Sequence, residues 1–597
     1  MQLSYIHEQK EKLRKEIEIK KQESGRFSFL RFLSIVGFIF GIYQGYYGNH
    51  PYFYIVSILM CVVFIYLVIK HNRIKKEIED TQALFFVYED IEKRKDDRWK
   101  EYTDTGEEFL VEDAKQEVDL DIFGKASLFQ YLNCAKTMEG RKYLASLLSW
   151  KQQDSEQIKQ RQEAVKECIS STDLSLRFMQ LSKLFEWHAG KKKKRQMEHF
   201  YQAMETHEHF YAKLWKRICI FISVCCVGIT AASFFFHQLQ AYALILFMGS
   251  LCLAFLFYMK NSAVLSSTGM YASIMQDYQR MLEEIEHADV TSAFLQQLKK
   301  DCAQADHAIL KLQHILQMVQ VRNNFILHFI VNGFLLLDFQ CVFALEDWKE
   351  RYGSHVRTWL CAIGKMEAMV SLAQIGLVKD TYCEAKVIEH ETPTFCFEKM
   401  YHPLIQEKRA VANSFDADNK TYIITGSNMS GKTTFLRTIG INMILFHAGA
   451  PLCAVSGSAT SMNLYTSMRE HDNVSEGIST FYAEILRIKQ MMEESKKKEP
   501  ILVLIDEIFK GTNSADRILC AKQAIVRLHL PWVICAVSTH DFELCDLEYD
   551  EKIQARNYHF SEYYEDDRIH FDYTLKDGRC KTTNAKQLMK MAGFWEE

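Results

Sequence analysis

A nine-residue stretch has the composition of a loop that grips nucleotide phosphates: GSNMSGKTT, from Gly426 to Thr434. It follows a short apolar run at Thr421–Thr425 and precedes a stretch typical of a helix. Glycines let the backbone curl so that amide N–H groups point at phosphates, and the helix N-terminus adds a positive dipole. In this strand–loop–helix setting, Lys432 is predicted to reach the β- and γ-phosphates and the Thr433 hydroxyl to ligate Mg²⁺.

Two adjacent carboxylates end the apolar run ILVLIDE at Ile501–Glu507. Its five apolar residues predict a buried parallel strand with Asp506 and Glu507 at the C-terminal end. Asp506 is placed to hold Mg²⁺, directly or through water, and Glu507 to polarise the attacking water. One charge for the metal and one base for the nucleophile suit hydrolysis by in-line attack. The alternative is two acidic residues that are simply solvated at a strand end.

A further strand and a turn belong to the same part of the chain. The run WVICAVSTH (Trp532–His540) predicts a buried strand. His540 at its end is predicted to sense the γ-phosphate or orient the water; a purely structural role is the alternative. The run SEGISTFYAEI (Ser475–Ile485) predicts a turn that enters a helix and forms a second anion site. We expect it to complete the site of a neighbouring subunit in a head-to-tail dimer, although an ordinary helix cap has the same pattern.

Together these motifs resemble the MutS family of mismatch-repair ATPases. The resemblance rests on TGSNMSGKTTFLRTIG with its Asn-Met, followed in order by STFYAEI, DEIFKGTNSADR and STHDFEL, and preceded by YHPLI and VANSF. Upstream, LFQYLNCAKTMEGRKYLASLL and IKQRQEAVKECI are similar to the start of the family's helical core. The resemblance covers about residues 105–190 and 290–595 of the chain.

The resemblance implies ATP and Mg²⁺ as cofactors and a homodimer formed through the ATPase domain. It assigns nucleotide binding to Gly426, Ser427, Asn428, Met429, Ser430, Gly431, Lys432, Thr433 and Thr434. It places Ser475, Gly477 and Ser479 against the other protomer's γ-phosphate, and Asp516 near the shared interface. It makes Val411 and, on a looser match, Tyr573 adenine contacts. It implies catalytic roles for Glu507, His540 and Lys432, and metal binding by Thr433 and Asp506.

Four apolar segments are long enough to cross roughly 30 Å of hydrocarbon, which takes about 20 helical residues. They form two hairpins: Phe29–Tyr47 with Tyr52–Ile69, and Ile218–Phe236 with Ala241–Met259. The connections GNHP and HQLQ carry no Lys or Arg, whereas basic residues flank the outer ends. The positive-inside rule therefore predicts a four-span membrane protein whose N-terminus, core and ATPase domain are cytoplasmic. Four buried core helices of a soluble protein are the alternative.

Two stretches near the hairpins carry separate expectations. A fifth apolar block, Phe325–Leu345, contains His328, Asn332 and Asp338. Because an isolated intramembrane Asp is expensive, we predict that this block is a buried helix of the soluble part. The basic run KKKKR precedes the third apolar segment and is expected to face anionic lipid headgroups. Nucleic-acid phosphate or plain solvent are its alternatives.

Composition sets broad limits on the fold. A chain of 597 residues predicts two to four domains, and only 25 Gly and 6 Pro predict that long helices dominate. The net charge of −4 excludes a globally basic nucleic-acid-binding protein, so any such surface must be local. The 17 cysteines include no CxxC pair, which favours reduced thiols and a cytoplasmic soluble part. The charged N-terminus lacks the apolar core of a signal peptide, and we expect no processing.

These elements predict a multidomain fold: an α-helical MutS-like core with two transmembrane hairpins, and a C-terminal α/β P-loop ATPase domain of ABC type. The expected units are a charged cytoplasmic helix at 1–28, hairpins at 29–70 and 214–260, a charged helix or linker at 71–104, core segments at 105–213 and 261–394 with lever helices in the second, and the ATPase domain at 395–597.

Departures from the family shape the expected function. We find no domain carrying the family's Phe-x-Glu wedge and no connector domain, and the second hairpin stands where the family's core has a DNA-clamping insertion. The chain ends soon after the ATPase motifs, at AGFWEE. We therefore expect a truncated, membrane-anchored, dimeric ATPase that opens and closes its helical arms and acts on DNA. Without a visible wedge, mismatch specificity is not expected.

The expected function has three alternatives. The first is a MutS-like ATPase that acts on a protein partner at the membrane, and the second is a scaffold that binds ATP without hydrolysis. An ABC-type transporter is the third. It is disfavoured because the interiors of the four spans carry no Asp, Glu, Lys or Arg that would line a polar pathway.

Overall fold

The computed structural model describes residues 1–48, 51–111, 115–194, 204, 211–269, 272–427, 429–469, 480–509, 514–565 and 568–580. Its N-terminal region is helical. The helices there are α1 (Leu3–Tyr47), α2 (Tyr52–Lys95), α3 (Lys115–Asp119), α4 (Leu128–Leu132), α5 (Met138–Leu147), α6 (Ser155–Ser170), α7 (Thr172–Lys194), α8 (Lys213–Ser233), α9 (Gln240–Leu256), α10 (Tyr258–Gly269), α11 (Ala272–His287), α12 (Ala293–Asp301), α13 (Ala305–Gln320), α14 (Phe325–Leu335), α15 (Leu337–Tyr352), α16 (Val356–Leu372) and α17 (Gln374–Val378).

The C-terminal region combines strands and helices. Its strands are β1 (Lys386–Val387), β2 (Phe395–Met400), β3 (Asn413–Ala417), β4 (Thr421–Thr425), β5 (Ser456–Ala459), β6 (Asn463–Ser467), β7 (Ile501–Asp506), β8 (Val533–Thr539), β9 (Arg556–His559), β10 (Glu562–Glu565), β11 (Arg568–Phe571) and β12 (Lys576–Asp577). Its helices are α18 (Lys432–Ala448), α19 (Thr480–Ser495) and α20 (Ser514–Leu528). A helical region followed by an α/β region is the predicted arrangement.

A six-stranded sheet forms the centre of the C-terminal region, in the order β12-β9-β4-β8-β7-β6. Strands β9 to β6 are parallel, and β12 pairs antiparallel at the edge. The strands β4, β7 and β8 are buried along their whole length, as their continuous apolar sequences predict. Along β7, Leu502 and Leu504 join the core that contains α18, whereas Val503 and Ile505 pack with α19 and α20. Helices therefore cover both faces of the sheet.

A smaller sheet and a hairpin flank this centre. The smaller sheet has the order β1-β5-β2-β3, with β2 antiparallel to both of its neighbours. Strands β10 and β11 form a separate antiparallel pair. The smaller sheet matters for the site because β3 ends next to β4 and brings the VANSF segment beside the loop that follows β4.

Helices α1 and α2 form one long hairpin that continues well beyond its apolar segments. They approach closely at Gly41, where an added side-chain carbon would lie 2.3 Å from Ser57 Oγ. Small residues permit such close helix packing in a membrane. At the other end of the hairpin, Ile6 is fully buried and Lys10 Nζ donates a hydrogen bond to Glu92. The two helices thus remain paired outside their apolar parts.

Within the described ranges, five helical stretches are long and apolar enough to cross a membrane: Leu3–Tyr47, Tyr52–Lys95, Lys213–Ser233, His237–Leu256 and Leu337–Val378. In the first four, only 11–17% of the most apolar window is buried against protein, and in the fifth 89% is buried. The first four contain most of the predicted apolar segments, although the third stretch ends at Ser233 rather than Phe236 and the fourth at Leu256 rather than Met259. The fifth belongs to the protein core.

The fifth apolar block differs from its predicted form. Instead of one buried helix over Phe325–Leu345, the chain forms α14 and α15, which meet at Leu336 with φ of 50° in the left-handed region. Helix α15 is largely buried, but α14 exposes its apolar side chains, with Phe325 79% exposed. The prediction was therefore wrong for the first half of the block. The polar residues of α14 turn towards Asp338, which leaves the apolar ones outside.

The remaining helices build the core of the N-terminal region. Helix α5 packs along α16, α7 lies against α2 and α11, and α13 contacts α11 and α15. Glu367 on α16 is fully buried and accepts hydrogen bonds from the backbone N–H of Lys136 at 2.9 Å and from Ser182 Oγ at 2.8 Å. Burial raises the pKa of the Glu367 carboxyl above its usual range. This carboxyl joins the chain segment before α5 to both α7 and α16.

Candidate functional site

Gly426, Ser427 and residues 429–431 lie between β4 and α18, around the side chain of Lys432. The φ angles of Gly426 (147°) and Gly431 (106°) are positive, and an added side-chain carbon at Gly426 would lie 2.8 Å from Phe560 O. Lys432 is buried, and its Nζ donates to the carbonyl oxygens of Gly426 and Ser427, both at 2.9 Å. The glycine-dependent curl therefore places the ammonium group at the centre of the loop.

A hydroxyl and a carboxylate meet where the first residues of α18 face the end of β7. Thr433 Oγ1 donates a hydrogen bond to Asp506 Oδ2 at 2.6 Å, and Ser538 Oγ donates to Asp506 Oδ1. Asp506 and Ser538 are paired positions of the adjacent parallel strands β7 and β8. Hard oxygen ligands of this kind suit Mg²⁺. The donor set of Thr433 and Asp506 thus fits the predicted metal.

The second carboxylate, Glu507, connects to the other two predicted catalytic residues. Its φ of 51° is positive, a conformation that costs of order 1–3 kcal/mol for a non-glycine residue. Glu507 Oε1 lies 3.0 Å from His540 Nε2, which lies 3.4 Å from Lys432 Nζ. The ends of β7 and β8 and the start of α18 therefore bring Glu507, His540 and Lys432 into one set of contacts.

A cavity of about 420 Å³ opens beside the loop. Residues 429–434 and Glu507 contribute to its lining. The lining also includes Val411 and Tyr573, together with Met400, His402, Phe435 and Phe560. The fold thus brings the two predicted adenine contacts and the predicted phosphate-binding residues to the same cavity, although Tyr573 and Glu507 come from distant parts of the chain.

Two residues that shape this cavity were not singled out from the sequence. Asn413 Nδ2 donates to Tyr573 O at 3.0 Å, and Asn413 Oδ1 accepts from Leu575 N at 2.7 Å, so β3 holds the Tyr573 segment in place. His402 lines the cavity, and burial lowers its pKa to about 3, which keeps the ring neutral. Both lie in the YHPLI and VANSF motifs, which were the available signal.

A bidentate ion pair fixes the segment that follows His540. Arg517 Nε and Nη2 on α20 donate to the two carboxylate oxygens of Asp541, each at 2.7 Å. Asp541 N also donates to Thr539 Oγ1 at 3.0 Å. His540 is therefore held between a strand end and this pair, which the sequence did not reveal. The neighbouring Asp516, predicted to lie near an interface, is exposed in the first turn of α20.

A buried carboxylate of the helical region reaches into the C-terminal region. Asp119 at the end of α3 is fully buried and accepts hydrogen bonds from Thr466 Oγ1 at 2.8 Å and from the N–H groups of Met468 and Arg469 at 3.1 and 3.0 Å. The Arg487 guanidinium on α19 lies 3.3 Å away. Asp119 therefore fixes the chain directly after β6.

Asp121, two residues later, adds a second connection. It accepts hydrogen bonds from Arg437 on α18 at 3.2 Å and from Arg469 at 2.6 Å. The two aspartates thus tie the helix that follows the predicted phosphate loop to the segment that leads towards the predicted second anion site. Of the predicted site residues, Asn428, Ser475, Gly477 and Ser479 lie outside the described residues, and their roles remain predictions.

These features define an α/β domain whose parallel sheet carries the predicted site at the C-terminal ends of its strands. The family model of MutS domain V matches residues 422–597. The DNA mismatch repair protein MutS of Aquifex pyrophilus is 32% identical over 243 residues, which are 39% of this chain and 28% of that protein. The protein of the same name from Natronomonas pharaonis is 28% identical over 241 residues, 39% of this chain and 27% of that protein.

The part of the chain that carries the sheet and the predicted site is thus similar to domain V of the MutS family. A third relative, the DNA mismatch repair protein MutS of Persephonella marina, is 27% identical over 251 residues and is likewise matched over 27% of its length. The chain therefore spans little more than a quarter of the length of these curated relatives. The shared part includes the sheet and the predicted site.

Proposed function

We propose that this protein is a membrane-anchored ATPase of the MutS family that works as a homodimer. The observation that carries the proposal is the cavity beside the loop that precedes α18. Lys432, Thr433 and Glu507 line it together with Val411 and Tyr573. A nucleotide needs polar and cationic groups around its phosphates and apolar surfaces around its base, and this cavity offers both.

The side chains have the following roles in the proposed reaction. Lys432 binds β- and γ-phosphate oxygens through its ammonium group. Thr433 and Asp506 would hold Mg²⁺, which when bound would neutralise phosphate charge. Glu507 takes a proton from the water whose oxygen attacks the γ-phosphorus. The bond from that phosphorus to the bridging oxygen breaks, and ADP and phosphate leave. His540, 3.0 Å from Glu507, orients the carboxylate.

The dimer proposal rests on the open side of the cavity. Met429 on the loop is 84% exposed, so the phosphate side of the site is accessible from outside the protomer. We propose that Ser475, Gly477 and Ser479 of a second copy cover this side and contact the γ-phosphate. Asp516, exposed at the start of α20, would lie near that interface.

The membrane proposal rests on the exposed apolar surfaces of α1, α2, α8 and α9. Each has an apolar window that the protein itself leaves almost uncovered. We propose that these helices form four spans in the lipid bilayer. The basic flanks support a topology with the N-terminus, the helical core and the sheet domain in the cytoplasm.

DNA is the proposed partner of the helical arms. Support comes from the relatives, which are named DNA mismatch repair proteins. The family model matches residues 422–597, and the hairpins lie outside that range. A protein partner at the membrane therefore remains the second candidate, and specificity for mismatches is not part of the proposal.

The test uses the full chain in lipid nanodiscs and measures ATP binding and phosphate release. Glu507→Gln should bind ATP, accumulate as an ATP-bound dimer, and turn over about 100-fold or more slowly, since a general base contributes that much or more. Glu499→Gln, just before the same strand, is the matched control and should turn over normally. Normal turnover by Glu507→Gln would refute the catalytic assignment.

Two further results decide between the alternatives. If the wild-type protein binds ATP and releases no phosphate, the scaffold that binds without hydrolysis replaces the ATPase. The second measurement compares turnover with homoduplex, mismatched and branched DNA. If no DNA binds and none changes the rate, the partner is a protein.

A further inference from the structure

Helix α14 has its apolar side chains on the outside. Phe325 and Ile326 are 79% and 71% exposed, and Leu327, Phe329, Ile330 and Leu335 are also exposed. These six side chains occur within eleven residues. A surface of this kind is unfavourable in water, because it keeps large apolar area hydrated without any compensating contact.

The inner side of α14 packs against the second apolar hairpin. Gly333 faces α9 so closely that an added side-chain carbon would lie 2.1 Å from the Phe247 ring. The Phe247 ring also lies 4.9 Å from that of Phe334, centroid to centroid. On the other helix of the hairpin, the Cys226 thiol donates to Gly333 O at 3.5 Å. Helix α14 is therefore a third member of the helical layer formed by α8 and α9.

The polar side chains of α14 are turned inwards and bonded to each other. His328 Nε2 lies 2.7 Å from Asn332 Nδ2 and 3.1 Å from Asp338 Oδ1. Arg322, just before α14, places its Nε 3.4 Å from the same carboxylate oxygen. The polar groups of this segment thus lie together inside the protein, around the Asp338 carboxylate.

The backbone reversal at the end of α14 is also protected. Leu336 is fully buried, and its N–H donates to Asn332 O at 3.0 Å. The N–H of Asp338 donates to Asn332 Oδ1 at 3.0 Å. Irregular backbone is tolerated at membrane depth only where protein covers it and its polar groups are satisfied. At this turn Leu336 is covered by protein, and the N–H groups of Leu336 and Asp338 are satisfied.

We propose that α14 is a membrane element that enters the bilayer beside the second hairpin without crossing it. This inference rests on the proposed insertion of that hairpin. Eleven helical residues span about 16 Å, half of the roughly 30 Å hydrocarbon core. The occupant of the exposed face is lipid, because this face continues the outward apolar surface of α9, where Leu244 and Ile245 are 63% and 66% exposed.

The proposed contact of α14 with lipid lies between two helices of the core. It connects α13 to α15, and these two helices are joined by a hydrogen bond from Trp348 Nε1 to Ala308 O at 2.6 Å. Helix α15 leads through α16 and α17 to the first strand of the C-terminal region. The bilayer therefore contacts the connection between two helices of the core, in addition to the hairpins.

The first experiment needs no substitution. The wild-type chain in lipid nanodiscs is treated with a lipid-soluble carbene photolabel and analysed by peptide mass spectrometry. Peptides from α14 should be labelled to the same extent as those from α9, whereas peptides around Leu519, which is 61% exposed on α20, should not be labelled. Labelling of α9 without labelling of α14 would overturn the inference and leave the hairpin in place.

The second experiment uses a water-soluble maleimide on single substitutions. Ile326→Cys should react as slowly as Leu244→Cys and at least about tenfold more slowly than Leu519→Cys, because a thiol in an apolar medium stays un-ionised and out of reach. Rapid reaction of Ile326→Cys alone overturns the inference. Rapid reaction of Leu244→Cys overturns membrane insertion of the hairpin as well. If α14 resists both reagents, a second copy of the chain covers it and the lipid assignment is wrong.

Discussion

Strand β7 and helix α9 are built from much the same side chains and have opposite surroundings. All six residues of β7 are buried between helices. In α9, Leu244 and Phe255 are 63% and 81% exposed, whereas the small Ala243 and Ser250 are buried against the rest of the protein. In the sheet the protein supplies the apolar surroundings of large side chains, whereas in the hairpin these side chains point away from the protein, where we propose that lipid surrounds them.

Apolar sequence alone therefore does not determine whether an element is buried in the protein core or exposed at its outer surface. What distinguishes the two regions is where the small residues lie. The sheet domain turns large residues inwards and tolerates no charge in its centre. The hairpin turns small residues inwards and should tolerate change on its outer face as long as membrane insertion survives.

The largest expected effect comes from a charge at the centre of the sheet. Val503 on β7 is fully buried, so Val503→Asp should destabilise the C-terminal region by more than about 4 kcal/mol and leave it unfolded. Limited proteolysis with peptide identification measures this. The matched change Leu244→Asp should leave the same region folded and cost about 3 kcal/mol in membrane insertion, measured as the alkali-resistant membrane fraction. Equal effects of both variants on the sheet domain would contradict the expected difference between the sheet and the hairpin.

The next effect concerns the buried aspartate that joins the two regions. Asp119→Ala removes the partner of Arg487, which is itself buried, and should destabilise the C-terminal region by about 3–5 kcal/mol in chemical unfolding. Asp380→Ala is the control. Asp380 is 77% exposed in its pair with Lys95, so its loss should cost at most about 1 kcal/mol. A small effect of Asp119→Ala would mean that the helical region does not stabilise the sheet.

A third effect uses pH to probe the same interior. His447 on α18 is fully buried, and burial lowers its pKa to about 4. The unfolded chain, with a histidine pKa near 6.5, binds the proton first, so stability is lost as pH falls below that value. Between pH 7.5 and 5 the loss from this group should be about 2 kcal/mol. His447→Gln should lose correspondingly less stability over this range. An identical acid dependence would exclude His447 as its source.

The smallest effect should leave the fold intact and change only the rate. Arg517→Lys keeps the charge but cannot reproduce both hydrogen bonds to Asp541, so His540 should be held less firmly. Turnover should fall about tenfold, equivalent to about 1.4 kcal/mol, with the KM for ATP unchanged. Arg527→Lys, exposed in the last turn of the same helix, should have no effect. A raised KM with normal kcat would point to binding instead.

Several elements could be predicted because a short sequence window determines them. The apolar runs of β4, β7 and β8 gave buried parallel strands, and the four long apolar segments gave helices with exposed apolar windows. The break at Leu336 could not be predicted, because helical periodicity continues through it and only the contact with Asp338 fixes the turn. Periodicity likewise does not say whether an apolar face meets protein or lipid.

The contacts that organise the candidate site were missed for a different reason. Asp119 and Thr466 are 347 positions apart, and Asn413 and Tyr573 are 160 apart. No local pattern marks such partners. By contrast, contiguous motifs contain Lys432, Thr433, Asp506 and Glu507, and the residue types in these motifs indicate the chemistry.

The first hairpin extends far beyond its apolar segments. Beyond its apolar segment, α1 continues for about 25 residues, or roughly 40 Å, and it stays paired with α2 over that distance. The far end of α2 meets the segment that leads into the C-terminal region, where Lys95 Nζ lies 2.9 Å from Asp380 Oδ1. With the hairpin in the bilayer as proposed, the length of this stalk limits how far the C-terminal region can stand from the lipid surface.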